Sequence, residues 1–160
     1  MRGWANLLGA GLAIVAACAA RADDAPQRGG TLTFAVAAVD PPSYDIHATA
    51  LYQAVHLLSP HYSTLLKLDP AHYPALIGDL AESWTVSPDQ QTFTFRLRPN
   101  IRFHDGSPLT AADVKASYDR IRNPPPGVVS VRQGQFAIID AIDTPDPLTV
   151  VIRLKSPSRS

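Results

Sequence analysis

Hydrophobic and polar residues alternate cleanly in two stretches of this chain. In SWTVSPDQQTFTFRLR, Trp84 and Val86 share one face of a first arm, and Phe93, Phe95 and Leu97 share one face of a second. Thr92, Thr94, Arg96 and Arg98 take the opposite face, as on a strand with one side in water. Ser87-Pro88-Asp89 supplies turn chemistry between the arms, with Pro88 preset for the second turn position. Nearer the C-terminus, Ala137 to Ile142, a DTPDP turn and LTVVIRLK make a second hairpin by pattern. Its second arm carries Leu148, Val150, Ile152 and Leu154 on one face. Between the hairpins the period changes: Val114, Tyr118 and Ile121 align on one side of a helix predicted from Ala111 to Arg122. Asn123 and Pro124 to Pro126 end it.

Upstream the pattern is shorter in range. Ala48 to Leu58 reads as a helix with Leu51, Val55 and Leu58 on one stripe, stopped by Pro60. Leu65 to Leu68 is a short apolar piece before a DPAHYP turn. Further back, GGTLTFAVA is strand-like, with Leu32, Phe34 and Val36 opposite Thr31 and Thr33. Pro41-Pro42 breaks it by removing ladder donors. No internal repeat is present. The fold class predicted is α+β with a largely antiparallel sheet.

The N-terminus changes the picture of where the chain works. One early cation, Arg2, precedes an apolar stretch from about Leu7 to Ala20, and Ala20-Arg21-Ala22 precedes Asp23-Asp24. A short apolar run closed by A-x-A is the pattern of a cleaved secretory signal, here residues 1–22, and it is short for a membrane span. Val15-Ala16-Ala17-Cys18 competes for the cleavage site, because it resembles a bacterial lipobox whose Cys18 becomes lipidated. Cleavage after Ala22 leaves no thiol, hence no disulfide, thiolate ligand or Cys nucleophile. The 14 basic and 14 acidic residues cancel, and no basic stripe carries interleaved aromatics, so nucleic acid is not expected as a partner.

Candidate chemistry centres on RFHDGSPLTAADV, where His104 and Asp105 are adjacent in a Gly- and Pro-containing loop. Asp105-Gly106 is a turn dipeptide, Gly supplying positive φ, and Thr110 with Asp113 has the spacing of a capping box. A catalytic triad would need a nucleophile elbow, and no G-x-S-x-G occurs. Adjacent residues on an extended chain also point apart, so His104 is poorly placed to be oriented by Asp105. Turn architecture is the favoured reading. His47, His56, His61, His72 and His104 include no H-E-x-x-H, and Gly29-Gly30 precedes a strand instead of joining strand to helix. Neither a zinc hydrolase site nor a phosphate loop is predicted, and a secreted hydrolase remains only a remote alternative.

GGTLTFAV, AESWTVSPDQQTFTFRLRPNIRFHDGSPLTAADVKASYDRI and IDAIDTPDPLTVVIRLKSPS, in that order, resemble the extracytoplasmic solute-binding proteins of family 5. These are the peptide- and oligopeptide-binding components of ABC importers, and they include nickel, haem, opine and oligosaccharide binders. The resemblance runs from Gly29 to about Pro157. It implies a periplasmic-binding-protein-like protein of type II that closes two lobes on a peptide or other small solute and docks on the permease subunits of an ABC importer. It implies a periplasmic or extracytoplasmic site of action, no enzymatic activity and no cofactor. Residues 23–45 would be leader and first strand of lobe I, and residues 46–160 the accessory domain of that lobe. Trp84, Phe93, Phe95 and Phe103 would then be core, Asp105 and Gly106 turn, and Thr110 and Asp113 cap.

Two departures stand out. Gln90 occupies a hairpin-turn position where the family often has Gly, so a tight glycine turn is not expected there. Tyr44-Asp45-Ile46 replaces a common Leu-Asp-Pro in a loop that commonly reaches the ligand. Tyr44, Asp45 and His47 are therefore the predicted binding residues, against the alternative that the loop merely spans two domains. Family members run to several hundred residues and their second lobe has no counterpart here, so a truncated or partial chain is expected. A nickel or metallophore binder is the alternative that five His residues motivate.

Overall fold

The computed structural model describes residues 29–31, 33 and 43–158. The predicted signal segment, Cys18 and the core positions of the first strand lie outside them. The described chain from residue 43 onward forms an α+β unit. Helix α1 (Tyr52–Leu58) runs into a 3₁₀ turn (Ser59–His61), and strands β1 (Leu66–Leu68) and β2 (Leu76–Gly78) pair as a small antiparallel hairpin. Strands β3 (Ala81–Val86) and β4 (Thr92–Leu97) follow, then helix α2 (Ala111–Arg122) and the short helix α3 (Gln133–Phe136). Strands β5 (Ile139–Asp146) and β6 (Thr149–Leu154) complete the order. The last four strands make one antiparallel sheet in the order β3-β4-β6-β5.

Apolar alternation places one face of this sheet in the core. Phe95, Leu97, Val150, Ile152 and Ile142 are buried there with Ala111 and Val114 of α2, while Trp84, Phe93 and Tyr118 are partly covered. Trp84 sits opposite Phe95 and Val86 opposite Phe93, as the alternation requires. The other face carries Thr94, Arg96 and Arg153, and Arg96 pairs across strands with Asp146 at 3.1 Å. Helix α2 has the predicted bounds. Its capping box closes between Thr110 and Asp113, the Thr110 amide donating to Asp113 Oδ2 at 2.8 Å. The Ala111 amide, free within the helix, donates instead to the Pro147 carbonyl at 2.8 Å, which ties the helix start to the β5–β6 turn.

Several sequence expectations are corrected. Helix α1 begins at Tyr52, not Ala48, because the Ala48 amide bonds the Asp45 carbonyl and the Leu51 amide bonds Thr49 Oγ1 in preceding turns. The buried residues are consequently Ala54 and Leu58, and Leu51 is exposed. The DTPDP segment is mostly strand: β5 runs to Asp146, and only Pro147-Leu148 turns. Pro145 is tolerated because β5 is a sheet edge with a bulge there. Ala137 and Ile138 lie before that strand, following α3. Phe103 is not core but 42% exposed, since Arg102 to Pro108 forms its own small hairpin turn, exposed throughout. Gln90 does adopt the tight-turn conformation, with φ 57.

Candidate functional site

The His104-Asp105 turn shares its central main-chain bond, and an Asp that accepts a following amide, with the turn at Ser87 to Gln90. In one, the Gln90 amide bonds the Ser87 carbonyl at 2.8 Å, and Asp89 Oδ1 accepts the Gln91 amide at 3.0 Å and the Ser87 hydroxyl at 2.5 Å. In the other, the Gly106 amide bonds the Phe103 carbonyl at 2.9 Å, and Asp105 Oδ1 accepts the Ser107 amide at 2.9 Å and the Ser107 hydroxyl at 2.6 Å. His104 stands where Pro88 stands, a position that asks only for an ordinary negative φ. Gly106 (φ +86) stands where Gln90 stands. The Ser107 bonds hold the Asp105 carboxyl below its ordinary pKa. The pair sits in a turn, where Asp105 Oδ1 accepts both the amide and the hydroxyl of Ser107.

The predicted binding residues fall in a segment with a different construction. Residues 43–49 are folded back by local bonds: the Asp45 amide donates to Ser43 Oγ at 3.1 Å and the His47 amide to Asp45 Oδ1 at 2.9 Å. Long-range partners then fix the segment. Arg120 Nη2 of α2 lies 2.7 Å from Asp45 Oδ2, the Val131 amide donates to the His47 carbonyl at 2.9 Å, and Tyr62 Oη donates to the Tyr44 carbonyl at 3.2 Å. Arg132 Nη1 donates to the Ile46 carbonyl, with the Thr49 carbonyl 3.5 Å away. Burial pushes the Asp45 pKa up, but the His47 amide and the Arg120 guanidinium outweigh it and leave it lowered. Burial, then the Arg132 charge, lowers the His47 pKa against the opposing pull of Asp45, and His47 Nδ1 is buried without a hydrogen-bond partner.

Of the three predicted residues, Asp45 lines an open hollow of about 470 Å³ with Arg120, Thr49 and Val129. Tyr44 is 70% exposed, and His47 turns a ring nitrogen inward. Arg120 and Arg132 were missed by sequence reading, because their partners lie 75 to 86 residues away and no local pattern announces them. A second hollow, of about 510 Å³, is lined by Arg122, Gln133 and Lys155. Its cations are committed to main-chain carbonyls, Arg122 to Ile139 and Asp140, Lys155 to Ala137 at 2.7 Å, so it reads as a brace. Among the described residues, no group of three or more His, Cys, Asp or Glu side chains could hold a metal ion. Among them, too, no helix is long and apolar enough to cross a membrane.

Residues 75–160 match the family described as bacterial extracellular solute-binding proteins, family 5 middle. The chain belongs to that family. It is a family of binding proteins, not of enzymes. The glutathione-binding protein GsiB of Escherichia coli is 39% identical over 150 residues, which is 94% of this chain and 27% of that protein. Among solved structures, MoaA of A. tumefaciens R10 in complex with mannopinic acid has a TM-score of 0.65 and 32% identity, over 72% of this chain and 24% of its own. A periplasmic oligopeptide-binding protein (OppAIV) of Borrelia burgdorferi has a TM-score of 0.66 and 27% identity, over 74% of this chain and 26% of its own. The chain spans 16% to 27% of the length of the curated relatives it matches.

Proposed function

We propose that this chain contributes to the substrate-binding component of an ABC importer that captures peptides outside the cytoplasm and hands them to a membrane permease. Residues 1–22 act as the export signal in this reading, with Cys18 lipidation as its alternative. Residues 23–45 are the leader and first strand of lobe I, and residues 46–160 its accessory domain. The observation that carries the reading is the 39% identity with a glutathione-binding protein across nearly the whole chain. The TM-score of 0.66 against an oligopeptide binder supports it. Tyr44, Asp45 and His47 belong to the loop that meets the solute; Tyr44 offers an exposed ring to it, while the Asp45 carboxylate is already paired with Arg120.

The likeness to a mannopinic-acid complex favours one second reading, a small non-peptide acid as solute. Thermal unfolding of the native protein with glutathione, di- to octapeptides and opine-type acids separates the two. A ligand that binds only the folded form raises the melting temperature by mass action. A rise with peptides alone supports the first reading, and a rise with the acids alone replaces it. No rise with any peptide at saturating concentration rejects peptide capture.

A further inference from the structure

Resting on the ligand loop proposed above, we infer that Arg120 and Arg132 are positioning residues that clamp residues 43–49 and so set the pose of Tyr44 toward the solute. The segment has no regular secondary structure of its own, yet the carbonyls of Tyr44, Asp45, Ile46 and His47 are all hydrogen-bonded. Most of those partners come from elsewhere in the fold: Tyr62 after α1, and Val131 and Arg132 beyond α2. Arg120 adds the one ion pair, at 2.7 Å to Asp45. Bonds to the carbonyls of Tyr44 and of the three residues that follow fix the backbone from Tyr44 onward while its side chain stays exposed, which is the arrangement a preformed contact needs. Arg122, two residues on, marks the contrast. It bonds Asp119 within its own helix and the carbonyls of Ile139 and Asp140 in the sheet, away from the loop's own bonds.

A loop that holds its binding pose only part of the time binds in proportion to that fraction. Arg132→Gln and Arg120→Gln therefore weaken glutathione or tripeptide binding by about tenfold if the pose falls to about a tenth of the population. Amide exchange in residues 43–51 becomes faster in both variants, while exchange in β4 stays as in the wild type. Arg120→Lys, which keeps a cation beside Asp45 and leaves the bond from the His47 amide to Asp45 in place, retains most of both readings. The remote pair-breaking change Asp146→Asn, which removes a surface ion pair of the sheet, leaves affinity alone.

Faster exchange without loss of affinity overturns the positioning role, and so does unchanged exchange. An affinity loss that accompanies faster exchange in β4 overturns it as well, by showing general destabilisation. If the wild type binds none of the peptides, the peptide reading fails and the positioning role falls with it; the exchange arm still reports by itself whether the arginines hold the loop.

Discussion

The four-stranded sheet and the segment from Ser43 to Tyr62 are held together by different means. In the sheet, side chains of period two fill a shared core, and Leu97 and Val150 are fully buried. In the segment, few apolar side chains are buried, Tyr44, Leu51, Tyr52 and Tyr62 face outward, and ahead of α1 the order of residues 43–49 comes from backbone carbonyls met by distant donors. Apolar burial is non-directional and tolerant of small movements, whereas a hydrogen-bonded clamp fixes one geometry and contributes only about 1 kcal/mol per bond. In the function proposed above, the sheet is the scaffold and residues 43–49 are the loop with one defined pose.

The contrast breaks most visibly at the core. Leu97→Ala should cost about 2–5 kcal/mol, because a cavity remains where the side chain was. Leu51→Ala should change stability by less than about 0.5 kcal/mol, as at an ordinary exposed site. Urea denaturation followed by circular dichroism measures both, and equal losses would remove the distinction between the two regions. Smaller effects sit at the ends of elements. Asp113→Ala opens the capping box of α2 and should cost about 1 kcal/mol in the same assay.

The paired turns sharpen the comparison further. Gln90 carries a side chain at positive φ where the matching turn has Gly106, so Gln90→Gly should stabilise by a few tenths to about 1 kcal/mol. Gly106→Ala should lose a similar amount. The opposite signs, read as melting-temperature shifts, check that both turns demand the same backbone.

The smallest expected effect on stability belongs to His47. His47 titrates below its usual 6.5 in the folded chain, so the unfolded chain binds more protons just under that pH. Its contribution is complete above 6.5 and declines as pH falls below it. Melting temperatures measured from pH 7.5 to 5 should fall less steeply in His47→Gln than in the wild type.

How much of this could be read from the residues follows the same division. Helix α2 was legible to its end residues because Thr110, Asp113 and Asn123 are local signals. The strand arms were legible because alternation is local too. The β5–β6 turn was misplaced because Pro145 looks like a turn residue, and only the sheet order makes it an edge strand with a bulge. Phe103 looked like core because an aromatic residue beside a strand usually is; its own small turn carries it outward. For the loop proposed to meet the solute, Tyr44, Asp45 and His47 could be singled out, but Arg120 and Arg132 could not. Contacts spanning more than 70 residues leave no periodicity behind.

The sheet order also sets when the domain can fold. Central strand β4 pairs with β3 at once, but its other neighbour is β6, which lies beyond both α2 and α3. The first amide of α2 waits in the same way for the Pro147 carbonyl. Closing so long a loop costs entropy before any contact rewards it, and chains rich in such pairings fold slowly. A ribosome delivers residues in order, so the sheet stays incomplete until Leu154 has emerged. If residues 1–22 export the chain as proposed above, that delay leaves time for translocation before the fold commits.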